Sequence, residues 1–435
     1  MSRFPPGRRL WYAFATIFTA GLLLIVSACG GGGSSGNSSG GGNVTISFLE
    51  KWPEPQYAPY FQKVVADYEK QHPNVHINLQ AVGDQPYKDK IRVLTAANSL
   101  PDIYFTWAGD FANKFVRAGL AADLTDAFNS SDWHTRFGSA TAQAFTTNGH
   151  LYAIPIDLDA KYFVYNTAIF KQYGLQPPQT LTDLLNACST LKSHGIQPIA
   201  FGNQYGWPAI HYLTTLNNAY LPQATLSKDY NPATGQFTNP GYVQALATFK
   251  QIDTQCLTPN SNGISHESAQ AQLLAGKAAM QYVELVEFPG FTQSGGASAS
   301  FANNWSFFKF PDIAGATGNQ ACLTGAPDGF MVSAHSKHID TAIDFLKFFT
   351  SQANAQLMTK MLGWGSPVIG SATPQNTFPQ LQQAIEQINH TSCFNIWLDT
   401  VTQAQVAQAY LASAEGLIDN TLTPPQAIAK VQAAA

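Results

Sequence analysis

The feature that most constrains the fold is a regular alternation of strand and helix patterns that begins at Val44. Val44–Leu49 is rich in β-branched and aromatic residues, as is typical of a strand, and Tyr60–Tyr68 carries apolar residues at helical spacing. Val75–Ala81 alternates apolar with polar residues, and a further helix, a short strand and a third helix follow before residue 119. This β-α-β-α-β-α order predicts a parallel sheet covered by helices.

The same alternation resumes near Leu151 and predicts a second α/β lobe. Leu151–Ile156 and Tyr162–Asn166 have strand patterns, and Thr180 with Asp183 forms the Thr-x-x-Asp pattern that caps a helix. Further strands are predicted at 198–201, 278–283, 305–310 and 329–333, with helices between them. About 390 residues follow the N-terminal region, which exceeds one typical core, so we expect two lobes or domains.

The first 28 residues have the three regions of a secretory signal peptide. Arg3, Arg8 and Arg9 precede an apolar run from Leu10 to Val26, and small residues follow up to Cys29. The tetrad at 26–29 resembles the bacterial lipobox, whose cysteine is acylated and becomes the first mature residue. We therefore predict a lipoprotein signal peptide at 1–28 and lipidation of Cys29. A transmembrane anchor is the alternative, although the run is barely long enough to cross a bilayer.

Residues 29–43 are predicted to form a disordered tether. Positions 30–43 contain only Gly, Ser and Asn, a composition that cannot bury apolar surface. A flexible coil of this length reaches roughly 20 Å. We expect the protein to be exported and to be held by its lipid at the extracellular face of the cell membrane or in the periplasm.

Composition limits the partners of the mature chain. Without the three signal arginines, the 23 basic residues fall to 20 against 27 acidic ones, a net charge of about −7. There is no basic patch that would indicate nucleic-acid binding, and no second apolar run approaches the length of a membrane span. No cysteine or histidine spacing indicates a metal site, and no cofactor is predicted.

Four cysteines follow the predicted lipidation site, namely Cys188, Cys256, Cys322 and Cys393. Export permits disulfides, so two disulfides are favoured over free buried thiols. Four cysteines allow three pairings, and spacing alone does not choose among them.

Five segments occur in a characteristic order between residue 44 and about residue 370. They are Pro101–Trp107 with Asp110 and Gly119 beyond it, Gly149–Asn166, Pro178–Leu184, Leu274–Met280 and Ser336–Phe349. Together they resemble motifs of the extracellular solute-binding proteins of sugar ABC transporters, in the maltose-binding-protein superfamily. Leu181 departs from the pattern, which usually has tryptophan there.

The resemblance implies an α/β, two-lobed fold of the periplasmic-binding-protein type II class, with the ligand cleft at the hinge. The chain is expected to cross between lobes near Asp157, near Glu284 and within 311–322. Lobe one would then contain 44–156 and 285–318, and lobe two would contain 157–284 and 319–435. On this division all four cysteines lie in lobe two. The implied pairs, Cys188–Cys256 and Cys322–Cys393, would leave lobe closure free.

The resemblance also implies a set of ligand-binding residues. A sugar packs its C–H faces on aromatic rings, and its hydroxyls need donors and acceptors, because burying a hydroxyl unpaired is costly. Trp107 is alternatively a core residue, and Asp159 or Glu284 alternatively pairs within the hinge. Tyr205 is interchangeable with Trp207 as an aromatic contact. The predicted contacts are Trp52, Trp107, Asp110, Asp159, Trp207, Glu284, Asp328 and Trp364.

The implied function is capture of a mono- or oligosaccharide by lobe closure and delivery to a membrane permease, by a monomer without enzymatic activity. The same scaffold could instead bind a polyamine, which needs more carboxylates, or a polyol phosphate, which needs basic residues that are few near these loops. A secreted glycosidase is the remaining alternative. It requires two carboxylates near 5 Å or 6.5–9.5 Å apart, for which Asp157/Asp159 and Glu284/Glu287 are the sequence candidates.

Overall fold

The computed structural model describes residues 42–391 and 393–435. The predicted signal peptide, the lipidation site Cys29 and most of the predicted tether therefore lie outside the described residues. The strands, numbered in chain order, are β1 (Val44–Glu50), β2 (Val75–Ala81), β3 (Ile103–Trp107), β4 (Thr146–Thr147), β5 (His150–Leu151), β6 (Ala153–Pro155), β7 (Lys161–Asn166), β8 (Gln197–Ile199), β9 (Ala278–Glu284), β10 (Trp305–Phe308), β11 (Leu323–Thr324), β12 (Asp328–Val332) and β13 (Phe394–Asn395).

The α-helices separate and cover these strands. They are α1 (Ala58–Gln71), α2 (Asp84–Ala96), α3 (Asp110–Arg117), α4 (Thr125–Asn129), α5 (Ser139–Gln143), α6 (Thr167–Gln172), α7 (Leu181–Ser193), α8 (Trp207–Tyr220), α9 (Gln223–Asp229), α10 (Gly241–Cys256), α11 (His266–Leu274), α12 (Ala299–Ala302), α13 (Ile339–Phe349), α14 (Gln352–Leu362), α15 (Pro379–His390), α16 (Leu398–Val401), α17 (Ala404–Ile418) and α18 (Pro424–Gln432). Short 3₁₀ helices cover Asp132–Arg136, Ser261–Gly263 and Leu285–Phe291. Within the described part of the chain, no helix combines the length and apolar character that crossing a bilayer requires.

The first sheet has five strands in the order β2-β1-β3-β12-β6. β1 pairs in parallel with β2 and β3, as the strand–helix alternation predicts. β12 returns from late in the chain and pairs antiparallel with β3 and β6. Because β12 runs in the opposite direction, its first residue lies at the same edge of the sheet as the last residues of β1 and β3.

The second sheet has four strands in the order β10-β7-β9-β8. β8 and β9 are parallel, whereas β7 is antiparallel to both β9 and β10. Helix α7 beside this sheet begins where the sequence predicts, because Thr180 and Asp183 form a capping box. The predicted fold class, two α/β lobes with helix-flanked sheets, is therefore confirmed, although both sheets are mixed.

The predicted division of the chain into lobes is wrong for two strands. β10, within 285–318, joins the second sheet, and β12, within 319–435, joins the first. The chain does not cross at Glu284, because Leu285, Phe288 and Phe291 pack in the same core as β7. The chain crosses between Leu323 in the second core and Ala326 in the first, and it crosses back between Val368 in the first core and Leu381 in the second.

Both predicted disulfides are present. Cys188 in α7 is bonded to Cys256 at the end of α10, and Cys322 is bonded to Cys393. The first bond lies within the core beside the second sheet. The second bond joins the chain just before β11 to the chain just before β13, and these two strands pair with each other. Neither bond ties the first sheet to the second.

Candidate functional site

The edges of the two sheets bring charged residues together. Trp107 at the end of β3 is the register partner of Asp328 at the start of β12. Lys161 at the start of β7 is the register partner of Glu284 at the end of β9. The connection from β6 to β7 runs from the first sheet to the second. Asp157 lies in this connection, and its Oδ1 accepts a hydrogen bond from the Asp328 backbone N–H at 2.8 Å.

A partly buried lysine occupies the first-sheet side of this region. Lys51 follows β1 directly, and its Nζ lies 3.0 Å from Asp328 Oδ2 and 3.9 Å from Asp84 Oδ1. The same ammonium lies over the rings of Trp52 and Trp107, 5.2 and 4.9 Å from their centroids. Burial disfavours the charged form, but Asp328 and Asp84 raise the pKa of Lys51 above its ordinary value. This side therefore carries a permanent positive charge among carboxylates.

Two carboxyl groups in the connection between the sheets are enclosed. Asp157 and Asp159 are 1% and 8% exposed. Burial raises the pKa of each well above its ordinary value, and the nearby charges of Asp328 and Glu284 raise them further. Asp159 Oδ1 accepts a hydrogen bond from the Leu285 backbone N–H at 2.8 Å. Asp157 Oδ2 has no hydrogen-bond partner among the described residues.

Aromatic rings and histidines form the second-sheet side. Trp207 begins α8, and its ring centroid lies 5.1 Å from that of His211 and 4.7 Å from that of His266. His211 stacks on Trp397 at 4.3 Å, and its Nδ1 lies 3.5 Å from Glu284 Oε1. Burial lowers the pKa of His211 well below its ordinary value. His211 is therefore neutral at pH 7, and its buried Nδ1 has no hydrogen-bond partner among the described residues.

Helix α16, in the C-terminal part of the chain, lies beside this group of charged and aromatic residues. The Leu398 N–H donates to Thr214 Oγ1 of α8 at 3.0 Å, which fixes α16 to the second-sheet side. On its other side α16 meets the start of α3, where a Cβ added to Gly109 would lie 2.8 Å from the Cα of Val401. Burial raises the pKa of Asp399 in this helix. Its Oδ1 has no hydrogen-bond partner in the described part of the chain.

The structure encloses several of the predicted ligand contacts. Trp107 is 6% exposed and packs against the rings of Phe105 and Phe111 at 4.7 and 4.8 Å. Trp364 is 1% exposed and lies 5.0 Å from Trp52, which is also buried. These contacts agree with the core alternative for Trp107. Ligand contact by these tryptophans stays a prediction.

The remaining predicted contacts differ in how free their polar atoms are. Trp207 is partly exposed, and Glu284 and Asp328 lie at the sheet edges. Asp110, at the start of α3, forms an ion pair with Arg117 at 2.5 Å. One oxygen of Asp110 is therefore occupied within its own lobe.

The expectation that few basic residues lie near these loops is wrong. Lys51 lies at the end of β1, Lys161 lies at the start of β7, and Lys88 Nζ lies 4.9 Å from the Trp107 ring centroid. Sequence reasoning also missed His211 and Asp399. A signal was present for two of the lysines, since Lys51 adjoins Trp52 and Lys161 follows Asp159 by two residues. Nothing local marks His211 or Asp399, which reach the region only through α8 and α16.

Two sheets that meet through crossing segments, with buried charges and aromatic rings enclosed at their edges, define a two-lobed solute-binding protein. The family model for bacterial extracellular solute-binding proteins matches residues 52–356, more than half of the chain. The chain therefore belongs to this family.

Curated relatives agree with this assignment. The melibiose/raffinose/stachyose-binding protein MelE of Bacillus subtilis is 33% identical over 134 residues, which cover 30% of this chain and 29% of MelE. The aligned stretch is thus less than a third of that relative's length. The multiple sugar-binding protein of Streptococcus mutans is 23% identical over 352 residues, which cover 78% of each protein.

A solved structure shares the fold over nearly its whole length. It is a chitin oligosaccharide binding protein, which matches with a TM-score of 0.81 at 22% sequence identity. The match covers 90% of this chain and 98% of the other.

Proposed function

We propose that this protein is the substrate-binding component of an ABC importer, which captures a carbohydrate between its lobes and delivers it to a membrane permease. The observation that carries the proposal is the mixture of groups at the sheet edges and in helix α16. Lys161 Nζ, Asp157 Oδ2 and Asp399 Oδ1 are buried without hydrogen-bond partners among the described residues, and the rings of Trp207 and Tyr282 lie beside the Lys161 ammonium. A sugar offers donors, acceptors and apolar C–H faces together, so it satisfies all of these groups.

The relatives support a carbohydrate ligand. MelE is named for melibiose, raffinose and stachyose, and the Streptococcus mutans relative is named for multiple sugars. The family and these relatives are named as binding proteins, which supports capture rather than hydrolysis. Of the predicted contacts, we place most weight on Glu284 and Asp328, which lie at the sheet edges, and on Trp207, whose ring lies beside Lys161 at the edge of the second sheet. The full proposed set keeps Trp52, Trp107, Asp110, Asp159 and Trp364.

We also propose that the mature chain is a monomer whose lipid on Cys29 anchors it at the extracellular face of the membrane. The extracellular character of the family supports this location. The lipobox-like tetrad at 26–29 and the Gly/Ser composition of 30–43 support the anchor and its tether. A tether of roughly 20 Å would keep the receptor close to its permease.

A cationic solute is the second candidate, because carboxylates outnumber lysines in this region and attract positive charge. The lysines are Lys51, Lys88 and Lys161, and the carboxylates that influence them are Asp84, Asp157, Asp159, Glu284, Glu287, Asp328 and Asp399. Because burial raises the pKa of most of these carboxyl groups, fewer of them are charged than their number suggests. We therefore favour a neutral polyol.

A thermal-shift panel tests the ligand class. The solutes are stachyose, xylotriose, chitotriose and galactose, with spermidine and glycerol 3-phosphate as the competing chemistries. A ligand at a hundred times its dissociation constant adds about 2.7 kcal/mol of stability. For a folded region of about 390 residues this corresponds to a rise of about 3 °C. We expect a rise with at least one sugar, and a rise with only spermidine or glycerol 3-phosphate would refute the carbohydrate proposal.

A further inference from the structure

Lys161 is a buried lysine whose ammonium makes no hydrogen bond within the described part of the chain. The residue is 2% exposed, and its Nζ has no hydrogen-bond partner among the described residues. The ammonium lies 4.9 Å from the centroid of the Trp207 ring and 5.6 Å from that of Tyr282. Aromatic faces and nearby carboxylates stabilise its charge, but its three N–H donors still need acceptors.

The neighbour of Lys161 in the sheet supplies the complementary chemistry. Lys161 and Glu284 are register partners in the antiparallel pair β7–β9, so both side chains point to the same face. The Glu284 side chain accepts one hydrogen bond from the Glu287 backbone N–H, and its Oε1 lies 3.5 Å from His211 Nδ1, so the carboxylate still has room to accept another. A donor and an acceptor therefore lie side by side at the sheet edge that faces Asp157 and Asp328.

We propose that Lys161 is a ligand-contacting residue that determines specificity, by donating hydrogen bonds to an oxygen of the bound sugar while Glu284 accepts from the adjacent hydroxyl. This inference depends on the proposed function. The pair selects a vicinal diol, because one hydroxyl accepts from the ammonium and its neighbour donates to the carboxylate. An amino group in place of the first hydroxyl would bring a second positive charge against Lys161, so the site rejects amino sugars at that position.

The competing role for Lys161 is purely structural. A cavity of about 30 Å³ adjoins the side chain and is lined by hydroxyls of Thr215, Tyr282 and Thr324, enough room for a water molecule or two. If the ammonium only serves this cavity and neutralises Glu284, its removal changes stability and leaves ligand selectivity unaltered. The test therefore compares ligands as well as variants.

The experiment is isothermal titration of wild type, Lys161→Met, Lys161→Gln and Lys309→Met with stachyose, xylotriose and chitotriose. Lys309 also lines the cavity but is exposed, so it is the matched control. Loss of a hydrogen bond to a charged group corresponds to about 10- to 100-fold weaker binding. We expect that loss in Lys161→Met, a smaller loss in Lys161→Gln and no change in Lys309→Met.

Monodeoxy analogues of the tightest-binding sugar then separate ligand contact from structure. The informative analogue is the one that lacks the hydroxyl contacted by Lys161. Its affinity for wild type should equal the affinity of the parent sugar for Lys161→Met. For Lys161→Met, the analogue and the parent sugar should have equal affinities, because the contact is already absent. The matching amino analogue should bind wild type worst of all and should recover in Lys161→Met.

Several results would overturn the inference. Equal affinities of Lys161→Met and wild type would exclude the contact. So would binding free energies in which the loss from the substitution and the loss from the missing hydroxyl are additive for every analogue. Failure of both Lys161 variants to fold would assign the ammonium a structural role. If wild type bound no sugar at all, the proposed function itself would fail, a result distinct from sugar binding that is indifferent to Lys161.

Discussion

Removing the ammonium of Lys51 is expected to lower the free energy of unfolding by about 3 kcal/mol. The side chains of Lys51 and Asp328 are 15% and 11% exposed, and their charged atoms are 3.0 Å apart. Deleting one partner of a buried pair leaves the other charge without compensation, which costs about 3–5 kcal/mol. The lower end applies, because burial already raises the pKa of Asp328 and the carboxyl can take up a proton instead.

Urea denaturation of Lys51→Met measures this loss, and the surface pair Lys63–Asp67 supplies the control. Their charged atoms are 2.8 Å apart, but the side chains are 49% and 41% exposed. Lys63→Met should therefore cost no more than about 0.5 kcal/mol. Lys51→Met combined with Asp328→Asn should recover part of the loss, because both charges then leave together.

The pH dependence gives the sharper check. In folded Lys51→Met, the pKa of the Asp328 carboxyl lies above its value in the unfolded chain. The destabilisation by the unpaired carboxylate is therefore absent at pH values below the unfolded-state pKa, and it grows as the pH rises through the folded-state pKa. The deficit of Lys51→Met relative to wild type should be smaller at pH 5 than at pH 8. A loss no larger than that of Lys63→Met, or a deficit that shrinks as pH rises, would show that the Lys51–Asp328 pair does not stabilise the fold in this way.

Three further predictions concern other parts of the region. Burial raises the pKa of Glu50 from 4.5 to about 7, so stability should fall as pH rises between these values. In urea denaturation, the difference in the free energy of unfolding between pH 5 and pH 8 should be roughly 3 kcal/mol smaller in Glu50→Gln than in wild type. An unchanged difference would contradict the raised pKa of Glu50. Gly109→Ala places a Cβ 2.8 Å from Val401, whereas Gly119→Ala, also at positive φ, meets nothing within 4 Å. In isothermal titration we expect Gly109→Ala to bind sugar at least about 10-fold more weakly than Gly119→Ala, which corresponds to a difference in binding free energy of about 1.4 kcal/mol. Equal affinities would show that α3 and α16 need not approach each other for binding. Trp107→Ala should cost about 3–5 kcal/mol as a core truncation and lower the ligand-free melting temperature by about 4–6 °C, whereas a drop below about 1 °C would identify an accessible ligand platform instead.

Local sequence patterns predicted most of the individual elements, because periodicity and capping residues act over a few positions. Helix α7 begins at the predicted Thr180 cap, and α3 ends just before Gly119 as expected. The lobe membership of β10 and β12 was not predictable from such patterns. It depends on which exposed strand edge a late strand reaches, and local residues do not encode that pairing.

The candidate site was predictable where the chain itself places residues at sheet edges. Trp107, Asp328 and Glu284 end or begin strands, and the strand pattern locates them. The role of Lys51 as a partly buried cation depends on its pairing with Asp328. Because Asp328 is far away in sequence, only the folded structure shows this role. Asp399 likewise acquires its surroundings from the docking of α16 between α8 and α3.

We propose that a carbohydrate binds between the edges of the two sheets. A crystal structure of the protein with the sugar that raises its melting temperature tests this most directly. We expect sugar density in contact with Glu284 of the second sheet and Asp328 of the first, with hydroxyl oxygens within hydrogen-bond distance of both. Density on an outer face, or against one sheet alone with Glu284 and Asp328 untouched, would contradict it.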